Sequence, residues 1–156
     1  MVRSVEHELD SPPWRRVEST LMSTSRAIRR AYDIRLAPLE LNLSEAMLLA
    51  FVFEHGPMTQ TQLAERVGMG RAATGALIDG LEARGVVERQ RQVGDRRVWL
   101  VAATPTSQAV VAEIATIDRR LRDELRAGIT RAERQQLAQT LLRLQGNLAA
   151  VLADEI

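Results

Sequence analysis

The chain has 156 residues, a formal net charge of +1 and 46% hydrophobic but only 3% aromatic residues, which bounds it to one domain, or one domain plus a dimerisation collar, with a core of Leu, Val, Ile and Ala. The absence of cysteine excludes a disulfide framework, a cysteine-based zinc site and a thiol sensor, and two histidines, His7 and His55, make no convincing metal site, so no cofactor is expected. No apolar run approaches the ~20 residues of a membrane span, and the N-terminus carries acids and then Pro12-Pro13 where a signal peptide would be apolar. These features predict a cytoplasmic protein without a membrane partner. All 21 basic residues are Arg. The planar fork of Arg suits phosphates and guanine edges, although a genome-composition bias gives the same uniformity.

Met1 to Asp10 shows little periodicity and reads as a loose arm. Ser11-Pro12-Pro13 reads as a helix start, a cap residue followed by prolines where no N–H is needed. The helix is expected from Pro12 to about Leu36, with Trp14, Val17, Leu21, Ile28 and Ala31 as its apolar stripe. At ~25 residues it would be ~37 Å long, which favours an arm that pairs with a second chain. Pro38 ends it. Ser44 is read as the cap of a second helix whose Met47, Leu48, Phe51 and Val52 face inward, widened by Ala46 and Leu49. His55-Gly56-Pro57 stops that helix.

The central stretch, Thr59 to Val101, organises the rest. Thr59 with Gln62 forms a capping box and starts a helix carrying Leu63, Ala64 and Val67. Gly68-Met69-Gly70 breaks it. A second helix follows from about Arg71, burying Thr74, Leu77, Ile78 and Leu81, with Gly85 as its C-terminal cap. Val86 onward reads as a strand, Val93-Gly94-Asp95 as a turn, and Arg97 to Val101 as the return strand. This hairpin carries Arg89, Arg91, Arg96 and Arg97 against one acid, Asp95. Helix, turn, helix and basic hairpin in that order describe a winged helix-turn-helix.

Thr104-Pro105 opens a long helix with Val110, Ile114, Ile117, Leu121 and Leu125 at steps of three and four, broken at Gly128. Thr130 with Glu133 is another capping box, and the last helix carries Leu137, Leu141, Leu144, Leu148 and Val151 as a heptad-like stripe. The expected fold is therefore mainly α with a small β wing: a winged helix-turn-helix over 44–102, flanked by long helical segments at 11–37 and 104–156 whose apolar stripes a twin chain can bury.

The run resembles the MarR family of bacterial transcriptional regulators. The matching residues are Thr59-Gln60-Thr61-Gln62-Leu63-Ala64, then Leu81-Glu82-Ala83-Arg84-Gly85-Val86-Val87-Glu88-Arg89, then the wing-tip triplet Asp95-Arg96-Arg97. The resemblance implies a homodimer, held by interleaved terminal helices, that binds double-stranded DNA. It implies a repressor released from a pseudo-palindromic operator by a small aromatic or anionic effector. The cysteine-based peroxide sensing of some members is excluded.

On that reading the helix from Arg71 to Ala83 is the recognition helix. Its outward residues Arg71, Ala72, Ala73, Gly75, Ala76 and Asp79 depart from the more polar surface usual in the family. Small residues allow close approach and contact with thymine methyls but few hydrogen bonds to base edges, which leaves Arg71 as the main candidate for direct readout. Gly75 costs roughly 1 kcal/mol inside a helix, and a close approach of backbone to DNA would account for it, as would drift to small residues. Arg97, matching the family's wing-tip Arg, is expected in the minor groove, with Asp95 holding the turn or orienting it, Arg96 as a phosphate or minor-groove contact, and Arg89 and Arg91 adding positive charge. Thr59, Gln60 and Thr61 stand at a helix N-terminus suited to a phosphate. Trp14, Arg15, Met47 and Phe51 are assigned by position alone as lining an effector site between the first, second and fifth helices. The alternative is a winged helix that docks proteins without reading DNA. The sequence carries no nucleophile motif, phosphate-binding glycine loop or metal cluster, so an enzyme is not expected; the acids Glu82, Glu88 and Asp95 read as ion-pair partners of nearby Arg.

Overall fold

Side chains from four helices and the hairpin converge on one apolar centre. In the computed structural model, which describes residues 12 and 16–153, the elements are α1 (Val17–Leu36), a 3-10 turn (Ala37–Leu39), α2 (Leu43–His55), α3 (Gln60–Val67), α4 (Arg71–Ala83), β1 (Val87–Gln92), β2 (Asp95–Ala103), α5 (Ser107–Leu125) and α6 (Arg131–Ala153). The chain divides into two compact units, Met1–Arg119 and Arg120–Ile156. Helix α1 starts later than expected: Pro12 is not helical, and the helix begins at Val17 with Arg16 as its cap. Ser11, Pro13 and the candidates Trp14 and Arg15 lie outside the described residues.

In the first unit Leu36, Leu48, Leu49, Leu63, Ile78 and Leu81 are buried together with Val52, Val86, Val87 and Val101. With so few aromatic rings, the packing is by branched aliphatic side chains, each fully buried one contributing roughly 1.5–3 kcal/mol. The α2 interior agrees with its pattern at Ala46, Leu48, Leu49 and Val52, but Met47 remains 36% exposed and Phe51 is only partly buried. The apolar face of α2 is thus rotated away from the one the spacing suggested.

Helix α2 also begins earlier than expected. Its cap is Asn42, not Ser44: the Asn42 side chain accepts from the Glu45 N–H at 3.0 Å, and the Glu45 carboxylate accepts from the Asn42 N–H at 2.8 Å. A reciprocal box satisfies two otherwise unpaired N–H groups, which a serine inside the first turn cannot do. Asp33 accepts a third, from Leu43, at 2.7 Å. Arg84 at the end of α4 donates to the carbonyls of Leu39 and Glu40, fixing the turn between α1 and α2.

The hairpin is antiparallel, pairing Val87 with Ala103, Arg89 with Val101 and Arg91 with Trp99, with an irregularity after Arg91. Its return strand is longer than expected, running from Asp95 to Ala103. Met58, just before α3, exchanges backbone hydrogen bonds with Val101 at 3.1 and 2.8 Å, an isolated bridge at the wing base.

The second unit contains the end of α5 and all of α6. Thr130 and Glu133 form the expected box, and the Thr130 hydroxyl and N–H hold the Glu133 carboxyl below its ordinary pKa. Leu137, Leu148 and Val151 are at least half exposed along α6.

Candidate nucleic-acid interface

The Thr59 hydroxyl accepts from the Gln62 N–H at 3.2 Å and the Gln62 side chain accepts from the Thr59 N–H at 2.9 Å, so the predicted box starts α3. Gly68 closes it at φ +66°, a conformation that favours glycine, and Met69 N–H bonds back to Ala64. The chain then re-enters a helix at Arg71. Thr74, buried beneath α4, donates from its hydroxyl to the Gly70 carbonyl at 3.0 Å.

Helix α4 presents Arg71, Ala72, Ala73, Ala76 and Asp79 to solvent. Gly75 is different: it is half-buried, and a Cβ there would stand 2.9 Å from the Gln60 side-chain amide, which itself donates to the Arg71 carbonyl at 3.0 Å. The absent side chain therefore makes room for an α3–α4 contact within the protein, a reason for the glycine that the sequence pattern did not suggest. Gly75→Ala is expected to gain the ~1 kcal/mol of helix propensity only when Gln60 is also truncated. With Gln60 present, the displaced amide gives back about 0.5–1.5 kcal/mol. Denaturant unfolding of the two single variants and the double variant measures this coupling, and additive effects would sink the explanation.

The hairpin separates its arginines into two kinds. Arg89 does not face outward: its guanidinium bridges Asp79 at 2.5 Å and also the carboxylate of Glu82, while its backbone N–H donates to Glu82 at 3.0 Å. The hydrogen bonds it donates, to Asp79 first and then to Glu82, raise its pKa above the ordinary value, against the desolvation of partial burial. Arg89 was expected among the DNA contacts; the structure instead spends it on tying the wing base to α4. Glu82 is the ion-pair partner the sequence reading anticipated. At the tip, the Asp95 carboxylate accepts from the Arg97 N–H at 3.0 Å, the turn-holding role expected of it. The guanidiniums of Arg71, Arg96 and Arg97 are exposed and make no ion pair among the described residues. Arg91 lies over the Trp99 ring, 3.9 Å from its centroid, and Trp99 is a wing residue that the pattern reading treated only as part of a strand.

A sequence model of the MarR family matches residues 41–99. The transcriptional regulator PA3341 is 34% identical over 85% of this chain and 98% of its own, with a TM-score of 0.76. The chain belongs to the MarR family. This MarR chain is accordingly a DNA-binding transcriptional regulator. Two further structures share the fold at lower identity: BpsR of Bordetella bronchiseptica, whose DNA binding is regulated by 6-hydroxynicotinic acid (18% identity, TM-score 0.79, 86% of this chain and 96% of that one), and MepR of S. aureus in a complex with DNA (15% identity, TM-score 0.76, 84% of this chain and 97% of that one).

The MarR chain also has a pocket of about 490 Å³ between α1, α2 and the part of α5 in the first unit. Met47 lines it, as expected, with Leu36, Leu43 and Ile114. Phe51 is not in its wall; it packs toward the core with its ring 6.0 Å from His55, one face of α2 away from Met47. The wall's polar feature is the Tyr32 hydroxyl, which donates to Asp118 at 2.9 Å. That pair, 86 positions apart in the chain, had no signal in local spacing. Among the described residues no single helix is long and apolar enough to cross a membrane.

Proposed function

We propose that the chain acts as a homodimeric repressor of a pseudo-palindromic operator. The observation that carries this reading is the placement of the exposed guanidiniums of Arg71, Arg96 and Arg97, which make no ion pair among the described residues, on α4 and the wing of one winged helix-turn-helix unit. Helix α4 enters a major groove, where Arg71 reads a base edge and Ala72, Ala73 and Ala76 bring the helix close. Arg96 and Arg97 take the adjacent minor groove, and the Thr59, Gln60 and Thr61 end of α3 meets a phosphate. Phosphate contacts supply most of the affinity, while bases and groove shape supply the choice of site.

Dimerisation rests on the apolar residues left outside at both ends of the chain. Val17, Met22 and Ile34 on α1 are more than half exposed, as are Leu137, Val151 and Leu152 on α6. A second copy covering these apolar residues removes that cost. Two recognition helices then address major grooves about 34 Å apart. The pocket beside Tyr32 and Met47 receives a small effector that releases the DNA. Its size and apolar walls suit a compact aromatic molecule, in line with the ligand regulation of BpsR.

Purified protein incubated with sheared genomic DNA at moderate salt, followed by sequencing of the retained fragments, tests the reading. One enriched pseudo-palindrome is expected. Diffuse retention that vanishes as salt rises, both with and without candidate effectors, would replace it with a docking module.

A further inference from the structure

We infer that Trp99 is a positioning residue for DNA binding: it holds Arg91 against the wing so that its guanidinium meets the sugar–phosphate strand between the two grooves. The inference rests on the DNA-binding reading of the wing and goes beyond it by adding a residue that carries no charge of its own.

Register supplies the first part of the argument. Directly opposed residues in an antiparallel pair share a face, as do residues two apart along a strand. Val87, Arg89 and Arg91 on β1 therefore share a face with Ala103, Val101 and Trp99 on β2. Val87 and Val101 place the inner end of that face in the core, and Arg89 places its middle against Asp79 and Glu82 of α4. The next step outward, Arg91 with Trp99, consequently lies on the recognition-helix side of the wing. A helix in a major groove and a wing in the adjacent minor groove straddle one phosphate strand, and this face looks toward it.

Geometry supplies the second part. Arg91 has two restraints: the Trp99 ring beneath its guanidinium at 3.9 Å and the Arg96 carbonyl, to which it donates. Trp99 is 48% exposed, so its ring is not there to fill the core. An unrestrained Arg loses most of its rotamer freedom on meeting a phosphate, whereas one already laid on an aromatic face loses less. The free charge is unchanged, so affinity responds to Trp99 while counterion release does not.

Fluorescence anisotropy of the full chain on a labelled duplex, carrying the sequence most enriched from genomic DNA, reads the effect across a salt series. Trp99→Leu is expected to weaken binding about three- to tenfold with the salt slope of the parent. Trp99→Tyr keeps an aromatic face and retains the parent affinity. Arg91→Ala lowers both affinity and slope, and adding Trp99→Leu to it costs nothing more. An unchanged affinity in Trp99→Leu, or a loss that adds in full to that of Arg91→Ala, overturns the inference while leaving the DNA-binding reading intact. A parent chain without salt-sensitive duplex binding overturns both. Matched thermal midpoints confirm that the comparison is between folded proteins.

Discussion

Replacing Arg97 by alanine is expected to weaken operator binding about a hundredfold, because each lost arginine contact costs ~1–3 kcal/mol and the proposed dimer loses two. The same change should make the salt dependence shallower by about two, since each wing then displaces one counterion fewer. Stability should not change: the Arg97 side chain is exposed and its guanidinium has no ion pair among the described residues. The backbone N–H that Asp95 accepts from is retained in the alanine variant. Titrations at several salt concentrations, set beside thermal unfolding, check all three outcomes. An unaltered affinity and slope would remove the wing tip from the mechanism.

Arg89→Ala should behave in the opposite way, with stability as the main casualty. Arg89 is only 29% exposed at its side chain and holds two carboxylates of α4, whose own exposures are 68% for Asp79 and 36% for Glu82. The more exposed Asp79 arm contributes little, as surface pairs do. The Glu82 arm, half-shielded, contributes the larger part, for a total of about 1–2 kcal/mol. In a chain of this size that lowers the thermal midpoint by ~2–8 °C. The wing then tilts more freely against the recognition helix and duplex affinity falls with it. Arg89→Lys recovers part of the stability, because a point charge satisfies one carboxylate but not two. A thermal midpoint equal to the parent, with a lowered salt slope, would return Arg89 to the list of direct DNA contacts.

The wing shows where a linear reading reaches and where it stops. Its turn is legible in a short local pattern, Asp95-Arg96-Arg97, in which the carboxylate and the N–H that it accepts from are two residues apart. The α3 and α6 boxes were legible for the same reason, each being a contact over three residues. Asn42 with Glu45 had the same spacing and was passed over for Ser44, although the signal was present. Arg89 and Asp79 are ten positions apart on different elements, Gln60 and Arg71 eleven, and Tyr32 and Asp118 eighty-six. Those contacts depend on how helices cross, which period and propensity do not encode. Gly75 is legible as anomalous, but its contact with Gln60 is not, because DNA and Gln60 ask for the same missing Cβ. Trp99 was assigned to a strand from its β propensity, and only the register with Arg91 gave it a further role.

The pairing of Met58 with Val101 has a mechanical consequence. Together with the Arg89 pairs to α4, it anchors the hairpin near its inner end, so the part beyond projects as a cantilever from Val101. From Val101 to Asp95 the beam is ~20 Å long at ~3.3 Å per residue. A rotation of about ten degrees at the anchor therefore sweeps the tip through ~3.5 Å, roughly the span of one strand residue. Guanidiniums near the free end would leave a groove while the backbone at the anchor scarcely moves. A small displacement of the chain just before α3 is thus geared up into a large one where the wing meets DNA.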